Sequence, residues 1–313
     1  MSRLILVTGA SGFAGSHLLD LFAADGVAIV AWHRPGGTPP RPVAGARWEG
    51  VDLLDRAAVR AAVERLRPTD VYHCAGAAHV GRSWGSSEPT FAVNVRGTHH
   101  VIEALRDAGV DARVLIPSSA MVYAASSAAI REDHPLLPAS PYALSKLAQE
   151  MVGRNNPGGP QVSIARAFNH FGPRQDPWFV ASGFARRIAD IEAGRWEPEI
   201  AVGNLDARRD LTDVRDTVRA YRQILERGAP GTTYNVCSGR AIAIRELLDM
   251  LLARARVPIT VKPDPARYRP NDPPLILGDP ARIREDLGWS PSIAIERTLD
   301  DLLESWRVVA PEP

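Results

Sequence analysis

LILVTGASGFAGSHLL, residues 4–19, puts Gly9, Gly12 and Gly15 directly after a short apolar run and at the opening of a segment with apolar residues at helical spacing. In that context the three glycines have separate tasks. The first permits a tight turn, the second lets a pyrophosphate approach backbone N–H groups, and the third lets the helix close onto the sheet, while the helix dipole favours the anion. A glycine triplet by itself is weak evidence, because such turns often serve conformation alone. The strand before it and the helix after it make dinucleotide binding the stronger reading.

Outward from this stretch, short β-branched runs alternate with longer amphipathic ones. Residues 3–8, 27–32, 70–74, 113–116 and 162–165 read as strands, and 13–24, 57–66, 89–108 and 142–154 carry apolar residues at helical spacing. This alternation predicts an α/β protein: a Rossmann-type, doubly wound parallel sheet over residues 1–170, with a smaller C-terminal α/β substrate lobe over 171–313. Segments near 211–240 are expected to return to the first domain. Residues 171–210 mix aromatic, Gly and Arg residues, and 258–280 hold seven prolines, too many for regular structure. Helices are predicted at 213–226, 243–255, 280–287 and 294–307, with a strand near 232–236.

Composition excludes several function classes. Thirty-seven Lys+Arg against 36 Asp+Glu leave a formal charge of +1, without the basic footprint of a nucleic-acid or membrane-surface binder. No apolar run approaches the roughly 20 residues of a spanning helix, and MSRLILVTGASG leads straight into a strand rather than a cleavable signal, so a cytoplasmic protein is expected. Cys74 and Cys237, in apolar runs, read as small core residues with no metal or disulfide pattern.

The chemistry is carried by SPYALSKLAQE, residues 140–150, where Tyr142 and Lys146 stand four apart and project from one face if the segment is helical. A ketone accepting hydride develops negative charge on oxygen. A phenol, with a pKa of about 10, can protonate it only if the phenolate is stabilised nearby, which an ammonium does. The pair and the TGxxGxxG spacing together resemble the extended short-chain dehydrogenase/reductase family.

That resemblance implies a catalytic Ser119, Tyr142 and Lys146, with Ser118 beside them in PSSAMVY. It places a cofactor on Gly9, Ser11, Gly12, Phe13, Ala14 and Gly15 and on Tyr142 and Lys146. Asp52 and Leu53 match the position that receives the adenine, and Cys74, Ala75 and Gly76 the loop after the next strand; Asp52 reads equally as a helix cap. The second strand ends in His33 and Arg34 rather than the usual ribose-binding carboxylate. A cation there favours NADP(H), with NAD(H) as the alternative, although Arg34 reads also as a solvated loop residue. Asn94 matches a position supporting the cofactor site. Helices 89–108 and 141–154 form a dimer seam in many relatives, so a homodimer is expected.

Within the family, dehydratases place a Glu two residues before the strand-end Tyr. Here Met121 precedes Tyr123, and a thioether cannot serve as a base. The segments ARAFNHFGPRQ, VGNLDARRDLTDVRD, YNVCSG and RYRPNDPPLILGD resemble the branch that reduces GDP-4-dehydro-6-deoxy-D-mannose to GDP-D-rhamnose. The implied function is NADPH-dependent reduction of the C4 keto group of a GDP-4-keto-6-deoxy-hexose. The resemblance makes Arg209 and Arg269 diphosphate and ribose ligands, Asn169 an amide contact and Asp272 a ribose contact. Arg209 reads alternatively as an ion pair with Asp210 or Asp213, and Asn169 as a turn residue before Gly172 and Pro173. Ala124 stands where relatives usually have Gly after Tyr123. The alternatives are a GDP-mannose 4,6-dehydratase, a nucleotide-sugar epimerase, or a cofactor-sensing regulatory protein, the last disfavoured by the retained Tyr142 and Lys146. The same side chains serve hydride delivery to either face of C4, so the rhamno and talo products are equally open.

Overall fold

A computed structural model describes residues 3–36, 42–78, 80–268 and 273–309. In chain order the strands are β1 (Ile5–Thr8), β2 (Ile29–His33), β3 (Ala46–Gly50), β4 (Asp70–His73), β5 (Arg113–Ser119), β6 (Gln161–Ala167), β7 (Asn169–Phe171), β8 (Glu199–Val202), β9 (Arg208–Asp213), β10 (Thr233–Val236), β11 (Ala241–Ala243), β12 (Thr260–Pro263) and β13 (Leu275–Ile276). The helices are α1 (Phe13–Ala23), α2 (Arg56–Leu66), α3 (Val80–Gly85), α4 (Ser87–Phe91), α5 (Thr98–Asp107), α6 (Pro141–Arg154), α7 (Val180–Glu192), α8 (Val214–Arg227), α9 (Ile244–Leu252), α10 (Ala281–Leu287) and α11 (Ile295–Val309).

β1 is buried at all four positions, as a strand covered on both faces must be. It lies inside a seven-stranded sheet, ordered β10-β6-β5-β4-β1-β2-β3, whose neighbours all pair in parallel. One apolar cluster includes Leu18, Phe22, Val218 and Ile224, from α1 and α8; the other includes Val59, Val63, Val101 and Leu105, from α2 and α5. The chain winds outward in both directions from β1 and β4, so their carboxyl ends diverge into a crevice, the usual ligand position of this architecture.

Immediately after β6 the chain crosses to a second sheet. β9 pairs with β11 along one edge and with β13 and then β7 along the other. β8 and β12 form a separate parallel pair, and α7, α9 and α11 pack around a third apolar cluster with Ile200 and Val202. The strand expectations for residues 3–165 hold to within a few residues.

Three expectations fail. Residues 89–108 do not form one helix: a π-helical turn, Ala92–Gly97, separates α4 from α5. The irregular reading of 171–210 misses α7, β8 and β9, and the proline-rich stretch 258–280 contains β12 and β13. Among the described prolines there, only Pro263 lies within a strand, at the end of β12 in the two-stranded pair with β8, where a missing N–H costs little.

Candidate active site

Ser140 caps α6, its hydroxyl accepting the Ala143 N–H at 3.1 Å, and Pro141 fills the first helical position, where a missing N–H is harmless. This start fixes Tyr142 and Lys146 one turn apart, as their spacing predicts. Tyr142 is half-buried, with Ser119 nearby at the end of β5. Burial raises the Tyr142 pKa, and the Ser119 hydroxyl opposes part of that rise. Lys146 is buried, with Nζ donating to Pro117 O and Gln149 Oε1, and burial lowers its pKa to about 8. The structure thus brings Ser119, Tyr142 and Lys146 together. Ser118, beside them, is buried with a hydroxyl that has no partner among the described residues.

The glycine loop lies at the carboxyl end of β1. Gly9 has φ +62°, and a Cβ there would stand 2.6 Å from Ala75 Cα; one on Gly15 would stand 2.3 Å from Gly9 O. Gly9, Gly15 and the Cys74–Gly76 loop therefore form one close-packed cradle that only hydrogen side chains permit. α1 starts at Phe13 with no side chain capping its first N–H groups and no acidic residue in its first turn. That arrangement suits a pyrophosphate. Asn94 holds the cradle from the π-helical turn: Oδ1 accepts Ala77 N–H at 2.8 Å, and Nδ2 donates to Ser145 Oγ at 2.9 Å.

A cavity of about 210 Å³ adjoins this cradle, lined by Ser11, Gly12, Phe13, Ser16, Leu19, Val43, Trp48 and Arg174. His33 packs its ring edge against Trp48, and Arg34 is exposed at the end of β2. Asp52 is exposed and accepts the Leu54 N–H; the cap of α2 is Asp55, so the capping alternative for Asp52 is incorrect. Leu53 is buried. Cys237 is buried as expected, whereas Cys74 is half-buried beside the loop.

Asn169 is exposed and heads β7 opposite Leu211, so the alternative reading of it as a turn residue does not hold. Arg209 is buried in β9, with Nη1 donating to the carbonyls of Arg208 and Pro273. Its neighbours in the sequence are engaged elsewhere: Asp210 accepts from Ser238 and Gly239, and Asp213 from Arg215 and Thr298. Arg269 and Asp272 lie outside the described residues.

The sequence profile of the GDP-mannose 4,6 dehydratase family matches residues 6–302. The chain belongs to that family. It is an NAD(P)-dependent nucleotide-sugar oxidoreductase of the extended short-chain dehydrogenase/reductase type. Among members of the GDP-mannose 4,6 dehydratase family and their neighbours, the GDP-6-deoxy-D-mannose reductase of Pseudomonas aeruginosa is 35% identical over 98% of each chain. A GDP-mannose 4,6-dehydratase of Yersinia enterocolitica is 28% identical over 80% of this chain and 76% of its own. The solved structure of RMD from Pseudomonas aeruginosa complexed with NADPH superposes with a TM-score of 0.85 at 31% identity, covering 99% of this chain and 100% of that one.

In this family member, residues beyond the sequence reading also join the site. His170 stacks on Phe13 with 2° between ring planes, His17 bonds Pro173 O at 2.9 Å, and Arg174 pairs with Asp20 at 2.8 Å. Together they clamp the loop after β7 onto α1. Arg174 has φ +73°, an uncommon conformation for a side chain of its size, and it brings a cation to the cavity wall. The contacts of FGPRQ with α1 were not legible in the sequence, because they come from a helix some 150 positions earlier.

Proposed function

We propose that this protein catalyses NADPH-dependent reduction of the C4 keto group of a GDP-4-keto-6-deoxy-hexose, GDP-4-dehydro-6-deoxy-D-mannose to GDP-D-rhamnose. The observation that carries the proposal is the placement of Tyr142 and Lys146 one turn apart on α6, with Ser119 at the end of β5 close enough to Tyr142 to influence its hydroxyl. The Gly9–Gly15 cradle, the open start of α1 and the Cys74–Gly76 loop fit a dinucleotide, with Arg34 and Arg174 as cations for a 2′-phosphate and Asp52 and Leu53 near the adenine. When bound, that cofactor supplies the hydride.

The chain's own residues do the rest. Ser119 polarises the ketone oxygen and Tyr142 gives it a proton. Lys146, charged at neutral pH, stabilises the phenolate left behind. Met121 at the end of β5 offers no base for abstraction beside the carbonyl, which disfavours 4,6-dehydration. Asn169, Arg209, Arg269 and Asp272 are the proposed GDP-sugar contacts, a guanidinium suiting a diphosphate by its paired donors.

A homodimer and a cytoplasmic location complete the reading. The dimer is supported by Leu144 and Met151, seven residues apart on α6 and both about half exposed at 48% and 55%. Among the described residues no helix is long and apolar enough to cross a membrane.

The discriminating experiment incubates the protein with GDP-mannose alone and, separately, with the 4-keto-6-deoxy sugar and NADPH. Consumption of NADPH in the second mixture supports the proposal. A 4-keto product in the first, formed without added NADPH, would replace it with dehydration.

A further inference from the structure

Lys146 is one of two lysines among 37 basic residues, the other being Lys262 in an exposed pair with Glu199. A chain that uses arginine almost everywhere keeps a compact ammonium here, and a point charge depends on its neighbours for direction. Two of its three donors go to Pro117 O and Gln149 Oε1. Gln149 is fully buried, and its Nε2 donates to Thr98 Oγ1 at 2.8 Å.

The partners of Thr98 then fix every proton in the run. Its hydroxyl donates to Asn94 O at 2.6 Å, so His73 Nε2, also 2.8 Å away, must be the donor between those two groups. His73 Nδ1 accepts from Thr8 Oγ1 at 2.8 Å, and that oxygen accepts the Ala75 N–H at 3.3 Å. Burial holds His73 neutral, with its pKa lowered to about 3. With the Thr98 proton committed to the helix, the amide of Gln149 must turn its NH₂ to Thr98 and its oxygen to Lys146.

We propose that Gln149 is a positioning residue for Lys146, transmitting the fixed run from Thr8 and His73, at the ends of β1 and β4, through Thr98 at the start of α5 to the ammonium on α6. This rests on the reading of Lys146 as the partner of Tyr142. The titratable and charged groups facing Lys146 are His73 at the end of β4, Cys74 in the loop after it and Glu150 from α6, Glu150 being held by Arg166 of β6. Burial keeps His73 neutral and pushes the Cys74 thiol up to about 12, so neither changes charge between pH 7 and 10.

Having two lysines makes a direct test practical. The full-length protein is labelled with ¹⁵N at lysine Nζ, and Lys262→Arg assigns the two signals. In Gln149→Leu, which removes an acceptor at similar volume, Lys146 should titrate lower than in wild type by about one unit. In Gln149→Glu, which keeps the oxygen and adds charge, it should titrate higher. In parallel, kcat of Gln149→Leu with the 4-keto sugar should fall about 10- to 100-fold with KM within about threefold, as misdirection of a catalytic group predicts. Gln149→Glu should recover most of that loss. An unchanged Lys146 titration in the Leu variant overturns the proposal even if turnover falls, because the residue would then act through packing. Should the Leu variant fail to fold, a Glu variant titrating no higher than wild type overturns it. A wild type without turnover sinks the reductase reading and leaves the titration able to judge Gln149.

Discussion

Two tyrosines, Tyr123 and Tyr142, lie between β5 and β6, and their hydroxyls have different obligations. Tyr123 is buried, donates to Asn235 Oδ1 at 2.7 Å, lies under the Arg166 guanidinium and has its pKa pushed up to about 12. Tyr142 meets Ser119 at the crevice and is the one that can release its proton to a ligand. Tyr142→Phe is expected to lower kcat by roughly two to four orders of magnitude, the usual worth of positioned acid–base chemistry, while GDP and NADPH binding measured by calorimetry change little. The pH dependence follows from Lys146. Burial lowers its pKa to about 8, so the ammonium is present below that pH and is lost above it. Turnover in the reductive direction should be level near pH 7 and decline above pH 8, read from initial rates across pH 6.5–10. That Tyr142 and Lys146 share one helix face was legible from their spacing, because four residues is about one helical turn, and their roles came from the resemblance carried by TGxxGxxG and PSS. Gln149, Thr98 and His73 were not, since the hydrogen bonds that join them cross between a strand end and two helices.

The element that does most to shape the site is the glycine loop with α1. A methyl group on Gly15 has no room beside Gly9 O, whereas one on Gly81 meets nothing within 4 Å. Gly15→Ala should cost about 1–3 kcal/mol of stability by overpacking and weaken NADPH binding at least about tenfold, while Gly81→Ala leaves both near wild type. Urea unfolding and cofactor titration check this pair. The same loop shows why the parallel sheet could be read from sequence: Ile5–Thr8 is apolar at nearly every position and is followed directly by its turn. β3 escaped notice because Ala-Arg-Trp-Glu-Gly is an edge strand with mixed polarity. The turn at Ala92–Gly97 escaped notice because apolar spacing continues smoothly through it, and only the reach of Asn94 to Ala77 and Ser145 shows why the helix widens there. α7 was hidden by small residues: Ala181, Ala185 and Ala189 bury its face without a strong apolar signal.

At the scale of the whole molecule, the chain leaves the first sheet at β6 and enters the second at β7, where Asn169 pairs opposite Leu211 of the strand that carries Arg209. The outer face of α6 remains apolar at Leu144 and Met151. If that face is a dimer seam, Leu144→Asp with Met151→Asp should halve the mass seen by light scattering, and a wild-type protein already monomeric at micromolar concentration would remove the dimer from the account. The central claim is hydride transfer to C4 of the hexose, and it has a direct reading in the product. NADPH carrying deuterium on the transferred position of C4 of its nicotinamide is supplied with GDP-4-keto-6-deoxy-mannose, and the sugar is examined by NMR. One deuterium is expected at hexose C4, with Tyr142→Phe producing almost none. A turned-over sugar carrying no deuterium at that carbon, or recovery of the ketone unchanged, would contradict it.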